Sequence, residues 1–166
     1  MQVREALAED FITVQNFPAE SGAVWDADVI QACSIAALQC MKSSHSKHLR
    51  TYLAFGQLPE DPIALFALLI RSRDDSQQER LVAELVVVAL HPRVRGRRLS
   101  SGLPVADAIV AAALEVAAAQ GASEVIGRTH ERNIPAQRLL SRTGFARDGE
   151  SRASYLAFSR QLPQSA

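Results

Sequence analysis

The chain has 166 residues, of which 48% are hydrophobic and 22% charged; this composition excludes disorder, collagen and coiled coil as its main organisation. A chain of this length buries roughly 70% of its unfolded surface, needs neither disulfide nor metal to hold a core, and is expected to form one domain over residues 1–166. Its 18 basic residues balance its 18 acidic ones, which argues against a nucleic-acid partner and confines any anion site to a local cluster. Only Lys42 and Lys47 are lysines. Arginine forks suit carboxylates and phosphates, and an arginine excess is equally the mark of a GC-rich genome.

Residues Gln2–Ala6 read as a first strand. Glu9-Asp10 then open an amphipathic segment, Phe11 to Phe17, which Pro18 ends. A second helix is expected from about Trp25 to Met41, with Val29, Cys33, Ala36 or Ala37, and Cys40 on one face. Cys33 and Cys40 stand two helical turns and about 10 Å apart, too far for a disulfide, and read as reduced thiols without metal-ligand spacing. Lys42–His48 reads as a loop. Arg50–Phe55, Pro62–Ile70 and Leu81–Leu90 are strand candidates, with a polar turn at Asp74 to Glu79. The valine-rich third is expected to be central and covered on both faces.

Leu103–Gln120 follows as a long helix, its stripe made by Leu103, Ala106, Val110, Ala113, Leu114 and Ala117. So few polar residues predict burial over most of its circumference, and Gly121 stops it. Glu124–Arg128 reads as a strand, Ile134–Arg142 as a helix, and Phe145–Arg147 with Tyr155–Arg160 as a last pair of strands. Consecutive strands followed by strand–helix alternation predict a mixed α/β fold. Charges at Arg4, Glu5, Glu9 and Asp10 precede any long apolar run, so no signal peptide is expected. No stretch reaches the roughly 20 apolar residues of a membrane span. A cytoplasmic location with no membrane partner is therefore the expectation.

The densest chemical signal runs from Leu81 to Ser101: a buried strand, a basic loop, then the long helix. Free backbone N–H groups in such a loop and the helix dipole both favour an anion. Arg93, Arg95, Arg97 and Arg98 concentrate four cations there. A solvated arginine run is the alternative.

The chain resembles the GNAT superfamily of acyl-CoA-dependent N-acyltransferases. Val3-Arg4-Glu5-Ala6 with Glu9-Asp10 is similar to the family's first strand and helix start. Val88-Ala89-Leu90-His91-Pro92 with Arg95-Gly96-Arg97 resembles its fourth strand and pyrophosphate loop. Asn133, Ala136 and Leu139, then Gly144-Phe145, resemble its late helix and turn. The resemblance implies a mostly antiparallel sheet of six or seven strands flanked by about four helices. It also implies acetyl-CoA as cofactor, a primary amine of a small molecule or peptide as acceptor, and a homodimer by family habit. Backbone groups of Val88, Ala89 and Leu90 would hold the pantetheine arm and the acetyl carbonyl; Arg95, Gly96, Arg97, Arg98, Leu99, Ser100 and Ser101 would hold the pyrophosphate; Asn133 would lie near the thiol. Asn133 is equally placed to cap the helix that follows.

Three departures stand out. The loop's two family glycines are Arg98 and Ser100 here, and glycine there lets backbone approach the pyrophosphate closely. Pro104 requires the helix to start near Ser101, so that its missing N–H falls in the first turn. The family's general-acid tyrosine is Leu140. Tyr155, His130 and Ser141 are the candidates to replace that acid, and His91 and His130 follow strand ends from which a proton can be relayed. Glu84, the one charge inside Leu81–Leu90, is expected as the base; Ala83-Glu84-Leu85 resembles the histone-acetylating branch of the family. Pairing of Glu84 with an arginine is the alternative. A second branch's glutamate position holds Arg128. The acceptor is expected between Phe17–Trp25, Lys42–His48 and Gly149–Tyr155. A GNAT fold that binds acyl-CoA or a partner protein without transfer is the competing expectation, favoured by Arg98, Ser100 and Leu140.

Overall fold

The computed structural model describes residues 1–18, Ile35, and residues 49–56, 61–75, 78–152 and 154–163. Apart from Ile35, the expected helix Trp25–Met41 with Cys33 and Cys40, and the expected loop Lys42–His48, lie outside the described residues. Seven strands are present: β1 (Gln2–Glu5), β2 (Leu49–Phe55), β3 (Pro62–Asp75), β4 (Gln78–Leu90), β5 (Glu124–His130), β6 (Ala146–Arg152) and β7 (Tyr155–Gln161). The described helices are α1 (Phe11–Gln15), α2 (Val105–Ala119) and α3 (Ile134–Arg142), with short 3₁₀ turns at Ala8–Asp10 and Pro92–Val94. The strands form one sheet in the order β1-β2-β3-β4-β5-β7-β6. Every pair is antiparallel except β4–β5, because α2 carries the chain across between those two, as parallel neighbours require.

Both faces of the sheet are covered. Phe66, Leu68, Ala83, Leu85, Val125 and Phe158 meet Ile109, Val110, Ala113 and Ala117 of α2 and Leu140 of α3 on one side. Leu53, Phe55, Leu65, Ala67, Val87 and Ala89 meet Val14 and Phe17 on the other. The central β3–β4 hairpin is thus apolar on both sides, as its near-continuous valine and leucine runs require.

Several expectations are corrected. Asp74 to Glu79 is mostly strand: the hairpin ladder continues to Asp75↔Gln78, because ladder hydrogen bonds satisfy a polar segment as well as an apolar one. β6 extends through Arg152 for the same reason. The long helix begins at Val105, with Pro104 just outside it as N-cap, so the missing N–H of proline costs no helical bond. Leu103 therefore leaves the apolar stripe and is 43% exposed. α2 is buried on one side only, with Ala111, Glu115 and Ala118 exposed; its apolar composition reflects alanine's helix preference. Among the described residues no helix is long and apolar enough to cross a membrane.

The first turn is tied by a charge. Asp10 accepts both Arg4 guanidinium nitrogens, at 2.6 and 2.8 Å, and the Leu7 backbone N–H at 2.8 Å. Arg4 stacks over the Phe55 ring at 5.1 Å. The Arg4 hydrogen bond, with that of Leu7, holds the Asp10 carboxyl below the usual carboxylate range although burial opposes this. Asp10→Asn is expected to cost about 2 kcal/mol, discounted because Arg4 is partly exposed, and to lower Tm by about 4–8 °C at pH 7. Since the folded pKa is depressed, this contribution is present above the unfolded value of about 3.9 and fades as pH falls through the folded one. Thermal unfolding of both proteins should therefore show the gap narrowing below about pH 4; a gap that widens in acid would contradict the assignment.

Candidate active site

The sheet forks at its centre. β4 and β5 pair in parallel from Val82↔Glu124 only to Leu85↔Gly127. At that point β4 bulges: Leu68↔Leu85 is followed by Ala67↔Val87, so Val86 is extra. A bulge bends its strand and ends regular pairing. Beyond it β4 keeps β3 on one edge, and β5 stays with β7 as far as His130↔Tyr155. A cleft of about 180 Å³ fills the fork. Leu85 to Val88 form one wall and Gly127 to His130 the other. Val110, Asn133, Ala136, Leu139, Leu140 and Tyr155 complete the lining.

Of the residues singled out from sequence, this cleft brings together Val88, Arg128, His130, Asn133, Ala136, Leu139, Leu140 and Tyr155. His130 and Tyr155 face each other across β5 and β7, their rings edge-on with centroids 5.5 Å apart. His130 Nδ1 accepts the Arg132 backbone N–H at 3.1 Å, an arrangement that fits a neutral imidazole with its proton on Nε2, a hydrogen-bond donor. Asn133 caps α3, its Oδ1 accepting Ala136 N–H at 3.1 Å, and also lines the cleft. Leu140 stands on the cleft wall against Gly127, so the family's tyrosine position faces the cleft with no hydroxyl. Sequence reasoning missed Val86 and Thr129 as lining residues.

Glu84 lies beside the cleft. It is not among the cleft-lining residues; its carboxylate accepts from Arg71 on β3 at 2.8 Å and from Arg128 on β5. The arginine-paired arrangement is thus the one present, and both carboxylate oxygens are engaged. Ala89 turns its side chain into the core beside α1, and Leu90 packs toward α2; only their backbone is open to a ligand role. Ser141 is not among the cleft-lining residues. His91 Nδ1 accepts Arg93 N–H at 3.2 Å, and its ring meets Phe17 edge-on, which gives it a structural use.

The loop after β4 runs from Arg95 to Pro104. Gly96 and Gly102 hold positive φ of 71° and 83°, a region that favours glycine. Leu99 N–H donates to Leu103 O, Gly102 N–H to Leu99 O and Val105 N–H to Arg97 O, so the loop closes on itself before α2 starts. The N–H groups of Gly96, Arg98, Ser100 and Ser101 donate to no acceptor among the described residues. Of the four arginines, Arg93 is taken by Asp61, Arg95 donates to Leu90 O at 3.3 Å and Arg98 to Gly102 O at 2.6 Å. The Arg97 side chain has no partner among the described residues. Open N–H groups with a nearby unpaired cation fit a phosphate-sized anion. No cluster of metal-ligating side chains occurs among the described residues.

No family profile and no curated protein matches the chain. Solved structures do. The GNAT domain of S. lividans PAT is similar at a TM-score of 0.72 and 14% identity, over 96% of this chain and 89% of that one. PaiA N-acetyltransferase from Thermoplasma acidophilum, in complex with coenzyme A, reaches 0.71 at 15% identity, over 97% and 98% of the two chains. Arabidopsis thaliana NAA60, in complex with acetyl-CoA, reaches 0.69 at 14% identity over the same shares, 97% and 98%. With the seven-stranded sheet and its central fork, these likenesses establish that the chain has the fold of the GNAT acetyltransferases.

Proposed function

We propose that the chain is an N-acetyltransferase that moves an acetyl group from acetyl-CoA to a primary amine by direct attack within a ternary complex. The fork carries this reading. It leaves a β4 edge without a strand neighbour among the described residues beyond Leu85, beside a cleft, leading into an anion-fitting loop. An extended arm rich in amides binds such an edge as an added strand does, and a pyrophosphate suits such a loop. Relatives crystallised with coenzyme A and acetyl-CoA support the same cofactor. On this reading Val88, Ala89 and Leu90 hold the pantetheine arm through their backbone. Arg95 to Ser101 hold the pyrophosphate, and Asn133 lies near the thiol.

Acetyl-CoA supplies an acyl carbon already activated as a thioester. The chain's own part is to exclude water from that carbon and to stabilise negative charge on its oxygen. His130 Nε2–H is the donor assigned to that charge, with Tyr155 packed against the ring to fix it. The amine gives its proton to water at the open mouth. The departing thiolate, from a thiol of ordinary pKa about 8.5, takes one from solvent, so no tyrosine is needed at Leu140. Glu84 is assigned the task of ordering Arg71 and Arg128.

A second reading, binding of acyl-CoA without transfer, is favoured by Leu140 and by the N–H groups of Arg97 and Leu99 already used within the protein. Amine-dependent release of CoA thiol separates the two. Transfer by the wild type is expected, with a kcat for Glu84→Gln reduced by far less than the hundredfold or more that a base contributes. No release with any amine supports the second reading, and loss of kcat in Glu84→Gln alone returns Glu84 to the role of base.

A further inference from the structure

Two guanidiniums share one carboxylate beside the cleft. Arg71 donates to one oxygen of Glu84 and Arg128 to the other. Farther along the same strands Arg73 lies 3.9 Å from Glu124; the Arg71–Glu84–Arg128 group carries one excess positive charge. The Glu84 side chain is 16% exposed and both arginine side chains are 47% exposed. The carboxylate therefore lies beneath, and the guanidinium forks open outward. Each guanidinium has five N–H donors and gives Glu84 one nitrogen; neither has another partner among the described residues. Arg128 also lines the cleft. It precedes His130 by two residues on β5, on the same face and about 7 Å away.

We infer that Arg128, backed by Arg71, recognises a carboxylate on the acceptor, so that the acceptor is a small amine of the free amino-acid type. The inference rests on the acetyltransferase reading and names its substrate class. A planar fork binds a carboxylate through two parallel hydrogen bonds, which an ammonium or an amide does not match. A carboxylate on Arg128 lies about one strand repeat from His130, a span that the amine and carboxylate of one amino acid bridge. A polyamine meets the excess positive charge, and the carboxylate of a long peptide is too remote from its amine. Glu84 acts as a positioning residue: by engaging one nitrogen of each arginine it fixes where both forks open.

The test offers the protein acetyl-CoA with free L-amino acids, the same amino acids as primary amides, and putrescine. CoA release is followed, and acceptor binding to the CoA-saturated protein is read separately by thermal shift. The acids are expected to exceed their amides by roughly ten- to a hundredfold in kcat/KM, mostly through KM, and to be the acceptors that raise Tm. Arg128→Gln is expected to erase that preference in both readouts, and Arg71→Gln to weaken it. Amides or putrescine used as well as the acids, or a preference that survives in Arg128→Gln, overturns the inference while leaving acetyl transfer standing. A protein stabilised by CoA that neither binds nor acetylates any amino acid also overturns it. Absence of any CoA shift removes the acetyltransferase reading itself, and the inference with it.

Discussion

Replacing His130 with alanine is expected to lower kcat for acetyl transfer by roughly a hundredfold, and glutamine in its place to recover a large part of the loss. Donors aimed at a developing oxyanion contribute about 10²–10³ in kcat. His130 is suited to that task because Nδ1 is committed to the Arg132 backbone N–H at 3.1 Å, which turns Nε2 to the other edge of the ring. The carboxamide of glutamine carries an N–H close to the Nε2 position; alanine carries none. A donor that acts on the transition state moves kcat and leaves KM for acetyl-CoA nearly unchanged. Steady-state kinetics of both variants decide this. Equal losses in alanine and glutamine would show that His130 only packs against Tyr155, and no loss in either would place the donor elsewhere.

Filling the cleft should have an effect as large, on binding this time. Ala136 stands on α3 and lines the fork, and the cap that starts its helix uses only its backbone N–H. Ala136→Trp places an indole in a space of about 180 Å³ while keeping the Asn133 cap. Stability of the free protein is expected to change by no more than the 1–3 kcal/mol that an added bulky group costs a packed site, and the acetyl-CoA-dependent rise in Tm to disappear. A variant that folds and still responds to acetyl-CoA as the wild type does would move the cofactor away from the fork.

Much of this site was legible in the residues themselves. The valine-rich strand, the basic loop after it, the long helix and the Asn133 cap all depend on neighbours close in sequence. Leu140 was likewise found at the position where the family carries its acid, and its side chain does face the cleft. The bulge at Val86 was not legible, because a bulge is a mismatch of register between two strands, and no glycine or proline marks it in either run. The ion pairs of Glu84 were not legible either, because its apolar neighbours in β4 carry no sign of them. Its partners stand 13 and 44 residues away in sequence, and only the pairing of β4 with β3 and β5 brings them together. The start of α2 is not legible from Pro104 alone, which fits the first turn of a helix as well as its N-cap. Gly102, at φ of 83°, and the Leu99–Leu103 hydrogen bond close the loop first.

The central claim, that the forked sheet and its loop hold acyl-CoA, is met most directly by a thermal-shift titration with acetyl-CoA, free CoA and ATP. A ligand at 100 times its Kd adds about 2.7 kcal/mol, which for a chain of this size raises Tm by about 5–10 °C. A saturable rise is expected with acetyl-CoA and with CoA and none with ATP, because the fork and not the loop alone must be filled. No rise at millimolar acetyl-CoA, or an equal rise with ATP, would contradict it.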